Sequence, residues 1–239
     1  MRALYIIKAG TTFPAVKKKY GDFELWTRDS MGTPKDEAVV IDIRNGEPLP
    51  ALRKCRGVVI TGSHAMVTDH LPWSDLILDW IPGIIKEKIP FLGICYGHQL
   101  LAEAMGGEVG YHPGGKEIGT VDIRLFPAGG EDPLFKALPG RFPAHVTHSQ
   151  SVLRQPPGAV PLAFNEFEPC HAFRMGNCAW GVQFHPEYNT DIMKEYILEQ
   201  ADELKTSGRD MDEIMMTVKE TPEAEKIMKS FYDFITQQP

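Results

Sequence analysis

The stretch Phe91-Leu92-Gly93-Ile94-Cys95-Tyr96-Gly97-His98-Gln99-Leu100-Leu101 constrains this chain more than any other. Ile89 to Ile94 is a short apolar run with a β-branched end, the pattern of a buried strand. From His98 to Met105, Leu100, Leu101, Ala104 and Met105 share one helical face, and Gly106-Gly107 supplies a C-cap signal. Cys95 therefore falls where a strand turns sharply into a helix. Gly93 and Gly97 flank it two residues away on each side, as a tight, strained turn requires. This is the logic of a nucleophile elbow with Cys in place of Ser. A thiolate there faces free N–H groups and the positive end of the helix dipole. The N–H of Tyr96, one residue on, points where an oxyanion would form. A lone cysteine would read as a packing residue. The fixed pattern Gly-x-Cys-x-Gly-x-Gln in this context favours a nucleophile.

The segments before this turn repeat its architecture. Leu4 to Ile7, Ala38 to Ile43 and Gly57 to Ile60 read as strands, the last buried on both faces as in a parallel sheet. Residues 16–31 read as partly helical, with Lys17, Lys18 and Lys19 on a solvated face. Residues 73–88 space Trp73, Leu76, Ile77, Trp80, Ile81, Ile84 and Ile85 as a helix, which Pro82-Gly83 is expected to kink or interrupt. Strands alternating with helices give a doubly wound, mostly parallel α/β sheet. After Gly107 the pattern shifts. Val109–Tyr111, Ile118–Phe126, Ala144–Thr147, Val160–Phe164, His171–Met175 and Cys178–Phe184 read as short strands, partly antiparallel. Asp132 to Leu138 reads as a short helix. One helix is expected from Met193 to Leu204, and two more over Asp212–Glu220 and Glu223–Ile235. These spans divide into one α/β domain, residues 1–190, and a helical extension, residues 191–239, packed on it.

A cysteine nucleophile needs a base, and the base an orienter. Of the eight histidines, only His185 stands in a matching context, Trp180-Gly181-Val182-Gln183-Phe184-His185-Pro186-Glu187. It follows an apolar strand, and Glu187 lies two residues on. An extended backbone puts both side chains on one face, where Glu187 can hold the ring tautomer of His185. Gly62, in Thr61-Gly62-Ser63-His64, closes a strand on the edge where α/β proteins place their sites. His64 sits beside it and reads as a loop histidine near the site mouth. His145-x-x-His148 lacks a third ligand nearby and is not read as a metal pair.

The two motifs, in this order and separation, resemble those of the class I (triad) glutamine amidotransferases, over residues 1 to about 190. The likeness is nearest to the amidotransferase domain of GMP synthetases. It implies a flavodoxin-like sheet, a catalytic triad of Cys95, His185 and Glu187, and oxyanion-hole N–H groups from Gly62 and Tyr96. By the same resemblance Gln99 lines the glutamine site. The segment His148-Ser149-Gln150-Ser151-Val152 matches the one that holds the α-amino and α-carboxylate groups, which makes Ser149 and Gln150 substrate contacts. The family commonly reads Gly-Gly-Pro at the oxyanion strand, where this chain has Thr61-Gly62-Ser63-His64; the key glycine is kept. No ATP-pyrophosphatase loop is found, so ammonia released from glutamine would pass to a separate synthetase subunit.

Composition narrows the remaining choices. A net charge of −7 argues against nucleic acid or an anionic membrane as partner, and a small-molecule substrate is expected. Cys55, Cys95, Cys170 and Cys178 form no Cys-x-x-Cys pair, which fits free thiols in a reducing cytoplasm and no metal. No Gly-x-Gly-x-x-Gly or Walker loop follows a strand, and no cofactor is expected. The reading is a cysteine-dependent hydrolase of glutamine or a γ-glutamyl compound, working through a glutamyl thioester. Its alternatives are a γ-glutamyl peptide hydrolase without an ammonia-transfer partner, and a non-catalytic protein using the elbow thiol for redox sensing or binding.

Overall fold

A computed structural model describes residues 2–237; Met1, Gln238 and Pro239, at the outer ends of the two expected segments, lie outside the described residues. The strands are β1 (Ala3–Lys8), β2 (Ala38–Asp42), β3 (Cys55–Ile60), β4 (Phe91–Ile94), β5 (Glu108–Tyr111) and β6 (Glu117–Leu125). They continue with β7 (Arg141–His148), β8 (Gln150–Arg154), β9 (Val160–Phe164), β10 (Ala172–Met175) and β11 (Ala179–Val182). The helices are α1 (Pro14–Tyr20), α2 (Phe23–Met31), α3 (Pro72–Lys86), α4 (Tyr96–Ala104), α5 (Thr190–Glu199), α6 (Ala201–Thr206), α7 (Met211–Thr217) and α8 (Pro222–Thr236).

A nine-stranded sheet runs β2-β1-β3-β4-β11-β10-β9-β6-β7, and β5 pairs with β8 in a small second sheet. From β2 to β11 all neighbours are parallel; from β11 to β7 all are antiparallel. Period-two alternation sorts the parallel strands between two cores. Leu4, Ile6, Val59, Leu92, Trp180 and Val182 face one side, against Ile227, Met228, Phe231 and Ile235 of α8. Ile7, Val58, Ile60 and Phe91 face the other, against Ile77, Ile81 and Ile84 of α3 and Leu100 and Leu101 of α4. Each such aliphatic side chain, fully buried, contributes roughly 1.5–3 kcal/mol. The C-terminal segment is thus part of the main core. A Cβ on Gly57 would come within 2.5 Å of Ile235, so α8 sits directly on the β3 backbone.

Four local expectations are corrected. Pro82 does not interrupt α3, which is continuous from Pro72 to Lys86. Pro82 lacks one N–H, but Ile77, Ile81 and Ile84 stay in register and bury completely. The expected helix at Asp132–Leu138 is a series of turns, preceded by a short 3₁₀ segment at Pro127–Glu131. Pro133 and Pro139 leave too few consecutive donors there for a helix. The single helix expected from Met193 to Leu204 breaks at Gln200, whose amide nitrogen donates back to the Tyr196 carbonyl at 2.8 Å. A strand at Gln150–Arg154, absent from the sequence reading, pairs with β5.

Candidate active site

Three parallel strands bring the site together at their carboxyl ends, where α/β sheets place ligands. β3 delivers Gly62, β4 delivers Cys95 and β11 delivers His185. Cys95 has φ +48° and ψ −95°, a left-handed backbone that a non-glycine residue rarely adopts. What holds it there is close packing of backbone on either side. A Cβ on Gly93 would lie 2.3 Å from the Gly97 carbonyl oxygen, and one on Gly97 would lie 2.5 Å from the Ile60 carbonyl oxygen. Any side chain at either glycine would push α4 off β3 and β4. The helix begins at Tyr96, two residues earlier than its apolar face suggests, so Cys95 is its N-cap position. His98 consequently lies inside α4, fully buried against Phe173, and does not open the helix.

His185 Nδ1 donates to Glu187 Oε1 at 2.8 Å, and both side chains are buried. The pairing survives, but its cause differs from the expected strand alternation. β11 ends at Val182, and His185 to Glu187 lies in a turn closed by the Tyr188 N–H to the His185 carbonyl at 3.3 Å. The His185 ring stacks on Tyr188 at 4.1 Å, and among the described residues its Nε2 has no hydrogen-bond partner. Burial opposes a charge on this imidazole, yet the charges of Glu187 and Cys95 outweigh it and raise its pKa to about 10. Gly62 lies against the same ring: a Cβ there would be 3.0 Å from His185 Cε1.

A hydrogen-bond chain backs the thiol. Gln183 Nε2 donates to Cys95 Sγ at 3.4 Å. Gln99 Nε2 donates to Gln183 Oε1 at 3.0 Å and to the Gln150 carbonyl at 2.7 Å. Gln150 turns its own side chain away from the thiol, to the Val67 N–H at 2.9 Å and Thr68 Oγ1 at 2.6 Å. Ser149, half-buried, lines the cavity beside it. His148 fixes this segment from behind, with Nδ1 on the Gln150 carbonyl at 3.0 Å and Nε2 on Glu117 at 3.0 Å. Burial opposes the Glu117 charge, but His148 and His171 overcome it and hold the carboxyl well below its ordinary range. His145, three residues earlier in β7, bonds Thr120 at 3.0 Å instead. Residues three apart in a strand face opposite ways, which separates this pair. Among the described residues no cluster of His, Cys, Asp or Glu is arranged to hold a metal ion.

The cavity at Cys95 has a volume of about 460 Å³. Its lining includes Gln99, Ser149, Gln150 and His185, together with residues that sequence reasoning left without a role. Tyr188 and Tyr196 sit on its wall; Lys116, Gln200 and Glu203 lie further out. Gln183 carried a signal that was open to reading, a polar residue at the end of an apolar strand two before His185. Lys116 and Gln200 carried none, since only the break in the C-terminal helix brings them in. His64 lines the cavity between Phe13 and Tyr196. Burial, then the nearby His185 charge, lowers its pKa to about 4.

The strand-to-helix cysteine faced by a strand-end histidine defines a class of protein, and comparison with known proteins identifies it. Residues 37–203 match the family model "Glutamine amidotransferase class-I", and the chain belongs to that family. It is 34% identical over 157 residues to the GMP synthase [glutamine-hydrolyzing] of Aeropyrum pernix, which covers 64% of this chain and 28% of the relative. The chain thus spans under a third of that synthase's length. It is 27% identical over 233 residues to gamma-glutamyl peptidase 4 of Arabidopsis thaliana, covering 93% of this chain and 91% of the peptidase. A solved glutamine amidotransferase from Thermotoga maritima superposes with a TM-score of 0.79 at 22% identity, over 100% of both chains, and shares the fold. Among the described residues no helix is long and apolar enough to cross a membrane.

Proposed function

We propose that this chain hydrolyses the γ-amide of glutamine or of a γ-glutamyl compound, with Cys95 as nucleophile, His185 as acid and base, and Glu187 as orienter. The observation that carries this reading is the strained Cys95 opening into the same cavity as His185, with His185 bound to Glu187 at 2.8 Å. Cys95 Sγ attacks the γ-carbonyl carbon. The oxygen takes the negative charge, held by the N–H groups of Tyr96 and Gly62. The C–N bond breaks as His185 Nε2 gives its proton to the nitrogen, and a glutamyl thioester remains. His185 then takes a proton from water; the hydroxyl adds to the thioester, the C–S bond breaks, and glutamate leaves. Gln99, Ser149 and Gln150 form the end of the site for the α-amino and α-carboxylate groups. Gln99 acts by setting the Gln150 carbonyl, and Gln150 by anchoring the loop at Val67-Thr68.

The test is glutamate release from L-glutamine and from γ-glutamyl peptides by purified protein, beside Cys95→Ala. A loss of about 10⁴-fold or more is expected in the variant. Equal rates in the two proteins would sink the proposal and leave the thiol a redox or binding group. Two uses of the reaction differ in the fate of nitrogen. Ammonia transfer requires a synthetase site to receive the ammonia; peptide hydrolysis requires none. The near full-length match to a γ-glutamyl peptidase supports the second.

A further inference from the structure

The cavity extends well past the triad, on the side where the leaving group must depart. His185 protonates the departing nitrogen in the reading above, on which this inference rests, so the leaving group lies on the His185 side of Cys95. From that ring the wall runs outward without a gap. Tyr188 stacks on His185 at 4.1 Å, Tyr196 lies 4.9 Å from Tyr188, and the Tyr196 hydroxyl is 3.3 Å from His64 Nε2. Phe13 packs on His64 at 4.4 Å, and the Tyr196 carbonyl leads on to Gln200. Ammonia needs about the 30 Å³ of one water; a cavity of about 460 Å³ leaves room for a larger group. On this wall the buried Tyr188 hydroxyl has no hydrogen-bond partner among the described residues and can accept from an entering N–H.

The charges at its outer end are unbalanced. Lys116 is the one lysine or arginine among the described lining residues, and it is already taken: its Nζ lies 2.6 Å from Glu203 and 2.6 Å from the Gln200 side-chain oxygen. Glu199 and Asp202 line the same rim, and among the described residues neither has an ion-pair partner. Among the lining residues three carboxylates thus face one ammonium, with the Arg209 guanidinium behind it on the Lys116 carbonyl. An anion entering here would meet uncompensated negative charge. A cation would meet carboxylates beyond a chamber walled by aromatic faces, which favour cations in their own right.

We propose that this chamber is a leaving-group subsite for a cationic amine, so that the substrates of this chain are γ-glutamyl amides of amines carrying a second, protonated nitrogen. The test uses three synthetic γ-glutamyl amides of equal length: of a five-carbon alkylamine, of the corresponding diamine, and of the corresponding ω-amino acid. They present a neutral, a cationic and an anionic distal end. The quantity read is the ratio of kcat/KM values within each protein, which cancels general damage to a variant. Wild type should favour the diamine amide over the ω-amino acid amide by about ten-fold or more, falling with added salt. Glu199→Gln with Asp202→Asn should bring that ratio towards one. Lys116→Met should move it the other way, because Glu203 is then left unneutralised. The opposite responses separate a charge-reading rim from a merely structural one. Hydrolysis of the alkylamine amide without preference for the diamine amide overturns the subsite alone. Inertness of all three amides and of glutamine overturns the hydrolase reading and this inference with it.

Discussion

The cavity wall carrying Cys95, Gln99, Gln150 and His185 is closed by buried hydrogen bonds, and none of these residues is more than 6% exposed. The wall beyond Tyr196 ends differently. Glu199, Asp202 and Glu203 are exposed; Glu203 is held by Lys116, and the charges of Glu199 and Asp202 are left to water and to whatever enters. The inner wall is preorganised: the amide donors of Gln99 and Gln183 are spent within it, and the thiol is presented by a strained backbone packed tightly on both sides. The outer wall is adaptable, since exposed charges cost little to rearrange. Such a division suits a site whose glutamyl end and reacting atoms are constant and whose leaving group varies. It also predicts that substitutions on the inner wall act through geometry, with large effects, and that those around the outer wall act through charge, with small ones.

After Cys95 itself, the largest effect should come from Glu187→Gln. The amide keeps the shape but loses the charge that favours the His185 imidazolium, and it can turn its NH₂ to the ring, selecting the wrong tautomer. A loss in kcat of about 10²–10⁴-fold is expected. The sign of the pH effect follows from the raised pKa. The imidazolium that protonates the leaving nitrogen is present below about 10 and is lost as pH rises through that value. The alkaline limb of the rate profile should therefore sit near pH 10 in wild type and move to lower pH in the variant. An unmoved limb would mean that Glu187 does not set the charge of His185. Gly93→Ala should follow, at about 3 kcal/mol or more of stability, because its methyl group meets the Gly97 carbonyl backbone. Urea unfolding measures this, and a midpoint equal to wild type would show that the elbow can relax.

Glu117→Gln probes the inner wall from behind. The carboxylate accepts from His148 Nε2 at 3.0 Å and from Asn165 Nδ2 at 2.7 Å, and His171 Nε2 lies 3.4 Å away. Losing its charge should cost about 2 kcal/mol. Its folded pKa is depressed, so its contribution is present above the ordinary value of 4.5 and fades as pH falls through the lower folded value. Unfolding midpoints followed into acid should thus fall for wild type and flatten for the variant. A parallel fall in both would place the acid sensitivity elsewhere.

The same division decides what was legible in the sequence. The meeting of Cys95, His185 and Glu187 was legible because Cys95 lies just beyond β4 and the other two just beyond β11, and local spacing carries much of their geometry. Even so, His185 and Glu187 meet through a turn at Pro186, where strand alternation was expected. The parallel strands were legible because burial on both faces leaves continuous apolar runs. β8 was not, since Gln150 and Arg154 break its pattern and its partner β5 lies far off in sequence. The outer wall was illegible for a physical reason. Lys116 meets Gln200 and Glu203 across more than eighty residues, through a helix break that propensity does not signal.

The smallest effect expected is at Lys19. Its ammonium is 2.7 Å from Glu195, and the pair ties α1 to the helix that carries Tyr196. Geometrically it could be the strut that holds the outer wall in place. Physically it should not be. Lys19 is exposed, water screens the attraction, and ordering two long side chains offsets what remains. The work of joining α1 to α5 falls instead to Val16, Ile192 and Met193, which are buried together, and to Thr12, whose hydroxyl meets Tyr196 at 2.7 Å within the core. Lys19→Ala should therefore leave the unfolding temperature and the leaving-group preference unchanged. A lowered unfolding temperature, with the preference shifted in step, would show that a surface ion pair positions Tyr196. The outer wall would then be as preorganised as the inner one, and the contrast drawn between them would fail.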